Sequence, residues 1–154
     1  MDYPEYKADL QRIHESEVYG IALFATAARM TKDPARREKW LALKALEEAT
    51  LVRYLAHMRE TGQPVRHPRT WGMKGRLEGA ALGVMPWRAA MKLLADGTAP
   101  FQERFQRLQA HAPASQQAFF GYVVAHEKAI EAFAQKERNH AFDSLKAVRA
   151  LLAS

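Results

Sequence analysis

The Asp33-Pro34 step divides the first part of the chain into two stretches of about 25 residues, each with apolar side chains recurring every third or fourth position. In the first stretch these are Leu10, Ile13, Ile21, Phe24 and Ala28; in the second they are Trp40, Leu43, Leu51, Tyr54 and Met58. A stripe with that period buries one face of a helix. Asp33 suits the N-cap and Pro34 the first helical position, where a missing N–H costs nothing. Gly62 and Pro64 stop the second helix. About 25 residues rise roughly 38 Å, so the pair predicts the long antiparallel arm of a bundle. The chain has 28 alanines but only ten valines and isoleucines together, a balance that favours helix over sheet. An all-α fold in a single domain over 1–154 is expected.

The second half is more broken. A loop from Thr61 to Trp71 precedes a helical segment from Met73 to Ala95, whose Gly75, Gly79 and Gly83 share one face. Each glycine costs about 1 kcal/mol in a helix, so the row implies that a backbone or a ligand comes close there. Pro86 predicts a kink or restart. Asp96-Gly97-Thr98 with Pro100 reads as a turn, followed by a short extra helix from Phe101 to Ala110. After Pro113 a long helix is expected from Ser115 to Asn139, then a tail helix capped by Asp143 or Ser144 and ending near Ala153.

Composition removes several functions. With no cysteine, the chain cannot make disulfides, thiolate metal sites or a cysteine nucleophile. Its serines show no informative spacing to a His and an Asp, so triad hydrolysis is unsupported. The net charge of +6 raises the question of a polyanionic partner, and Arg66, Arg69, Lys74 and Arg76 would carry that reading or one of an anionic membrane surface. Basic residues are otherwise scattered, and no nucleic-acid motif is present. The segment MDYPEYKADL is acidic and polar rather than signal-like, and no apolar run approaches the roughly 20 residues of a membrane span. The expectation is a cytoplasmic protein of bacterial type. His57, His67 and His111 read as loop or surface imidazoles. Trp40, Trp87, Phe105, Phe119, Phe120 and Phe133 read as core.

Three glutamates stand on the apolar stripes. Glu17 lies between Ile13 and Ile21, Glu47 between Leu43 and Leu51, and Glu127 between Val123 and Ile130. An ionised carboxylate buried without a partner costs several kcal/mol, so each needs a proton, a counter-charge or a cation. Glu17 is fifteen residues before Lys32 and Glu47 fifteen after it, which puts both at one level of the hairpin, about 22 Å from the bend. Glu127 is fourteen residues beyond Pro113, a comparable depth.

This arrangement resembles the ferritin-like superfamily, the rubrerythrin and ferritin type of antiparallel four-helix bundle, over roughly 9–58 and 119–139. The resemblance implies that Glu17, Glu47 and Glu127 are metal-ligating carboxylates of a di-iron type of site. The histidine slots three residues after Glu47 and Glu127 hold Thr50 and Ile130. His14, one turn before Glu17, and His126, beside Glu127, are the candidates for a relocated nitrogen donor, one or the other supplying it. Gly83 rather than Glu78 lies at the matching height in the glycine-rich segment, and Glu137-His140 lies near a helix end and is expected to face solvent. What the resemblance implies is a non-haem iron oxidoreductase acting on O2 or peroxide with an atypical site. Manganese and zinc are alternative metals. The competing reading is a metal-free scaffold that binds a small molecule or a protein. A homodimer is a candidate assembly.

Overall fold

The computed structural model describes residues 3–154, which form six α-helices and no strand. They are α1 (Tyr6–Met30), α2 (Pro34–Glu60), α3 (Trp71–Val84), α4 (Trp87–His111), α5 (Gln117–Arg138) and α6 (Lys146–Leu152), with a 3-10 turn at Ala114–Gln116. None of these helices is long and apolar enough to cross a membrane.

The hairpin of α1 and α2 forms as the stripes predict. The Asp33 carboxylate accepts from the Arg36 N–H at 2.9 Å and caps α2. At the bend, Trp40 Nε1 donates to Thr31 Oγ1 at 2.9 Å, and that hydroxyl donates to the Ala27 carbonyl at 2.7 Å. The buried indole N–H is satisfied and the angle between the helices is fixed. Antiparallel α4 and α5 form a second pair packed across the core from the first. Arg104 and Arg107 of α4 reach Asp9 near the start of α1, while Lys39 of α2 and Trp87 of α4 both bond Glu137 near the end of α5. Helices α2 and α4 therefore run against α1 and α5.

Helix α3 is the crossover that makes this possible. It runs parallel to α1, with Gly75 against Tyr19, Gly79 against Leu23 and Gly83 against Ala27. A Cβ on Gly75 or Gly79 would stand 2.4 or 2.3 Å from a carbonyl oxygen of α1. The glycine row thus does what its spacing implies: it lets two backbones approach closer than side chains allow.

The break expected at Pro86 is a full restart: α3 ends before Met85 and Pro86, which turn the chain into α4. The expected turn at Asp96-Gly97-Thr98 and the separate short helix are absent, since α4 runs unbroken through Gly97 and Pro100. One buried stripe, Met91, Leu94, Thr98, Phe105 and Leu108, spans the whole helix, and the exposed position of Pro100 leaves the Asp96 carbonyl that it orphans open to water. At α6 neither expected residue caps with its side chain. Instead the Ser144 hydroxyl donates to Glu137 at 2.6 Å.

The core falls into two apolar clusters. One gathers Phe24, Trp40, Leu43, Met91 and Phe133 at the bend end; the other gathers Ile13, Tyr54, Phe105, Phe120 and Val123 at the opposite end. Burying each such side chain contributes about 1.5–3 kcal/mol. A layer of ionisable side chains lies between the two.

Candidate metal centre

That layer is built from three helices. Glu17 of α1 and His126 of α5 are fully buried, and Glu47 of α2 and Glu127 of α5 are 4% exposed. Glu17 and Glu47, equally distant from Lys32 along the chain, meet at one level of the hairpin. One ligand atom each from Glu17, Glu47 and His126 lie within 4.8 Å of one another. The His126 ring sits between the two carboxylates, Nδ1 3.6 Å from Glu17 Oε1 and Nε2 3.3 Å from Glu47 Oε2. Glu127 Oε1 lies 3.9 Å from His126 Nδ1. Of the residues singled out in the sequence, Glu17, Glu47 and His126 come together as one set, with Glu127 at its edge beside His126.

His14 does not join them. Three residues before Glu17 is about 60° off its face and one turn lower, so the His14 ring turns toward Tyr54, 5.1 Å away between centroids, and toward His67 of the loop, 6.0 Å away. Burial and the neighbouring His67 lower its pKa, partly offset by the Arg66 backbone. Nor is Thr50 a donor to the centre, because its hydroxyl bonds the Leu46 carbonyl at 2.9 Å. Glu78 is on the surface of α3, bonded to the Tyr19 hydroxyl. Glu137 corrects the expectation of a solvent-facing side chain: it accepts from Lys39, Trp87 and Ser144, and these bonds hold its carboxyl below the usual range despite burial. His57 is buried too, stacked 4.1 Å from Phe119 between centroids.

The hydrogen-bond inventory of the centre is incomplete. Glu17 Oε1 accepts from Ser16 Oγ at 3.3 Å, but Glu17 Oε2, Glu47 Oε2 and both ring nitrogens of His126 have no hydrogen-bond partner. Buried polar atoms are usually well bonded, whereas here His126 Nε2 and Glu47 Oε2 face one another at 3.3 Å without good alignment, an arrangement that shared protons or a cation would complete. Burial, reinforced by Glu47 and Glu127, pushes the Glu17 carboxyl well above its ordinary range. Burial pushes Glu127 up to about 8, with His126 opposing and Glu47 adding. Burial works against the His126 imidazolium, but Glu47 and Glu127 outweigh it and raise that pKa. Without a cation, the layer stores protons.

No protein-family model, curated protein or solved structure matches this chain. Its chemistry therefore rests on the residues themselves. One of these, Gly20, carries no chemistry and escaped the sequence reading. It lies three residues after Glu17, and a Cβ there would stand 2.4 Å from Glu47 Cδ and within 2.8 Å of both carboxylate oxygens. Gly20 is the slot in α1 that receives the Glu47 carboxylate. Its signal in the sequence was a glycine in the middle of a long apolar helix, where alanine would be about 1 kcal/mol better.

The layer also opens on one side. A cavity of about 620 Å³ between α1, α3 and α4 has Ser16, Glu47 and Glu127 in its wall. Phe24, Leu82 and Leu94 line it toward the bend end.

Proposed function

We propose that Glu17, Glu47, His126 and Glu127 bind a transition metal within a ferritin-like helical bundle, and that the protein is an oxidoreductase using O2 or peroxide. One observation carries this reading. Glu17, Glu47 and His126, from three helices, bring ligand atoms within 4.8 Å of one another in an otherwise apolar core, with Glu127 3.9 Å from the same imidazole and four polar atoms of the layer without a well-aligned hydrogen bond. Oxygen and imidazole donors without thiolate suit iron, manganese or zinc, with iron favoured by the oxygen chemistry. The glycine slot at Gly20 supports it as well, since it gives the Glu47 carboxylate a seat. Two antiparallel helix pairs joined by one crossover are the connectivity of ferritin-like folds. A bound iron would supply one-electron and oxygen chemistry, and the cavity beside Glu47 and Glu127 would admit the molecule to be oxidised.

Elemental analysis of protein purified without chelator, followed by iron titration, tests the proposal. Stoichiometric iron, manganese or zinc that is lost in Glu47→Ala is the expected result. Less than about a tenth of an equivalent, unchanged in Glu47→Ala, defeats it.

The cavity favours one competing reading, a metal-free small-molecule carrier. On that reading Glu17→Gln and Glu47→Gln leave stability equal or better, because each removes a costly buried acid. On the metal reading both substitutions abolish the upward thermal shift that added metal gives the wild type.

A further inference from the structure

The cavity beside the centre is amphipathic along its length. Helices α1 and α3 run parallel and α4 runs against them, so wall residues can be ordered by level. Arg12 belongs to the early turns of α1 and Arg104 to the late turns of α4, at the same end; Lys74 starts beside Gly75, at the level of Tyr19, and its ammonium reaches back over the Trp71 ring. Arg12 and Lys74 flank the ring of Trp71 there, at 4.7 and 4.8 Å from its centroid. The far end is lined by Leu82, Met85 and Leu94. From Leu93 to Arg104 the wall follows eleven residues of α4, about 16 Å. Glu17 is five residues from Arg12 on α1, so the buried carboxylates meet the cavity roughly 7–8 Å in from its basic end.

We infer that this cavity binds an amphiphile with one anionic head and an apolar body, its head held among Arg12, Lys74 and Arg104 and its body lying past Glu47 and Glu127 toward Met85. The volume falls within the roughly 300–1,000 Å³ of small-molecule sites. Arg12 pairs with Glu15 at 3.2 Å and Lys74 approaches Glu78 at 4.0 Å, both pairs partly open to solvent, whereas the acids deeper in are buried. Arg104 already shares Asp9 with Arg107, so one carboxylate serves two guanidiniums and leaves positive charge over. An amine head would meet these cations, and a plain hydrocarbon would leave them unused. The inference identifies the substrate class of the proposed metal centre and rests on that reading only for what happens to the bound molecule; binding itself needs no metal.

Dodecanoate, dodecylamine and dodecanol are the probes, titrated calorimetrically into the full chain before and after iron loading. Dodecanoate is expected to bind at one site, at least about tenfold tighter than dodecylamine, a difference of about 1.4 kcal/mol. Gly97→Phe is the blocking variant: Gly97 is in the cavity wall, and a Cβ there meets no atom within 4 Å, so the larger side chain enters free space without disturbing the fold. It should weaken dodecanoate at least about tenfold. The double variant Arg12→Gln/Lys74→Gln should narrow the preference for dodecanoate over dodecanol. Equal or tighter binding of the amine, no binding of dodecanoate, or binding indifferent to Gly97→Phe each overturns the inference. The two readings fail separately: iron uptake without dodecanoate binding removes this one alone, and dodecanoate binding without iron uptake removes only the metal.

Discussion

Glu127→Gln separates a buried acid from an ordinary one. The wild-type carboxyl, 4% exposed, titrates at about 8 in the folded chain, whereas an unfolded glutamate titrates at about 4.3. Between those values the folded state holds a proton that the unfolded state has released. Stability is therefore full below the unfolded pKa and falls as pH rises through the window, by about 1.4 kcal/mol per pH unit. The ceiling over the window is about 5 kcal/mol, reduced by whatever water and relaxation the ionised layer recruits. Glutamine keeps the shape and has nothing to ionise. Urea unfolding followed by far-ultraviolet circular dichroism, in chelator, should show variant and wild type alike near about pH 4 and the variant more stable by several kcal/mol near about pH 9. Parallel stability profiles across that range would refute the reasoning, because they would mean that Glu127 is hydrated or paired in the folded chain.

Three further outcomes follow from named contacts. Gly20→Ala should keep the fold, since the Glu47 carboxylate can swing away from the new Cβ, yet lower metal affinity by more than about tenfold in a competition titration. Gly79→Ala meets the Leu23 carbonyl oxygen instead, at 2.3 Å, and backbone cannot swing. Thermal or urea unfolding should show a net loss of about 1–3 kcal/mol despite alanine's better helix propensity. Asp9, buried against Tyr3, Arg104 and Arg107, has its carboxyl held below the usual range, its guanidinium partners outweighing burial. Its contribution is present above the unfolded pKa and lost as pH falls through the folded one. Asp9→Asn should accordingly destabilise at neutral pH and converge on wild type in acid.

The parts of the fold legible in the sequence were those set by local period and local caps. The stripes of α1 and α2 and the Asp33-Pro34 start read directly, and symmetry about Lys32 brought Glu17 and Glu47 to one level because an antiparallel hairpin conserves height. What failed depended on partners far away in the chain. Gly97 and Pro100 look like a turn in isolation, yet the stripe from Met91 to Leu108 keeps α4 whole by what it buries. The glycine row of α3 announced a close approach but could not name α1 as the partner, nor reveal that α3 runs parallel to it. Within the centre, the stripe pattern marked the three glutamates, and His126 had only its place beside Glu127 to recommend it. His14 shares a face with Glu17 on a helical wheel, but aromatic and loop neighbours decided where its ring points.

A buried acid that merely tolerates its site and one that awaits a cation behave alike at a single pH, and the difference lies in the sign of a slope. Stripped of metal, the layer is most comfortable holding protons on Glu17 and Glu127, so its own contribution to folding is favoured by acid. Metal must displace those protons, and its affinity rises with pH as they leave. Saturating metal adds stability in proportion to the logarithm of its concentration over its dissociation constant, so the added term grows across the window in which the bare layer weakens. If Glu17, Glu47 and His126 are ligands, stability at saturating metal should flatten or rise with pH where the chelated protein declines. A layer kept only as a structural remnant would show the same decline with metal or without it. The low dielectric that makes poorly bonded polar atoms expensive also makes a cation among them strongly held. That is the physical reason for expecting the slope to turn.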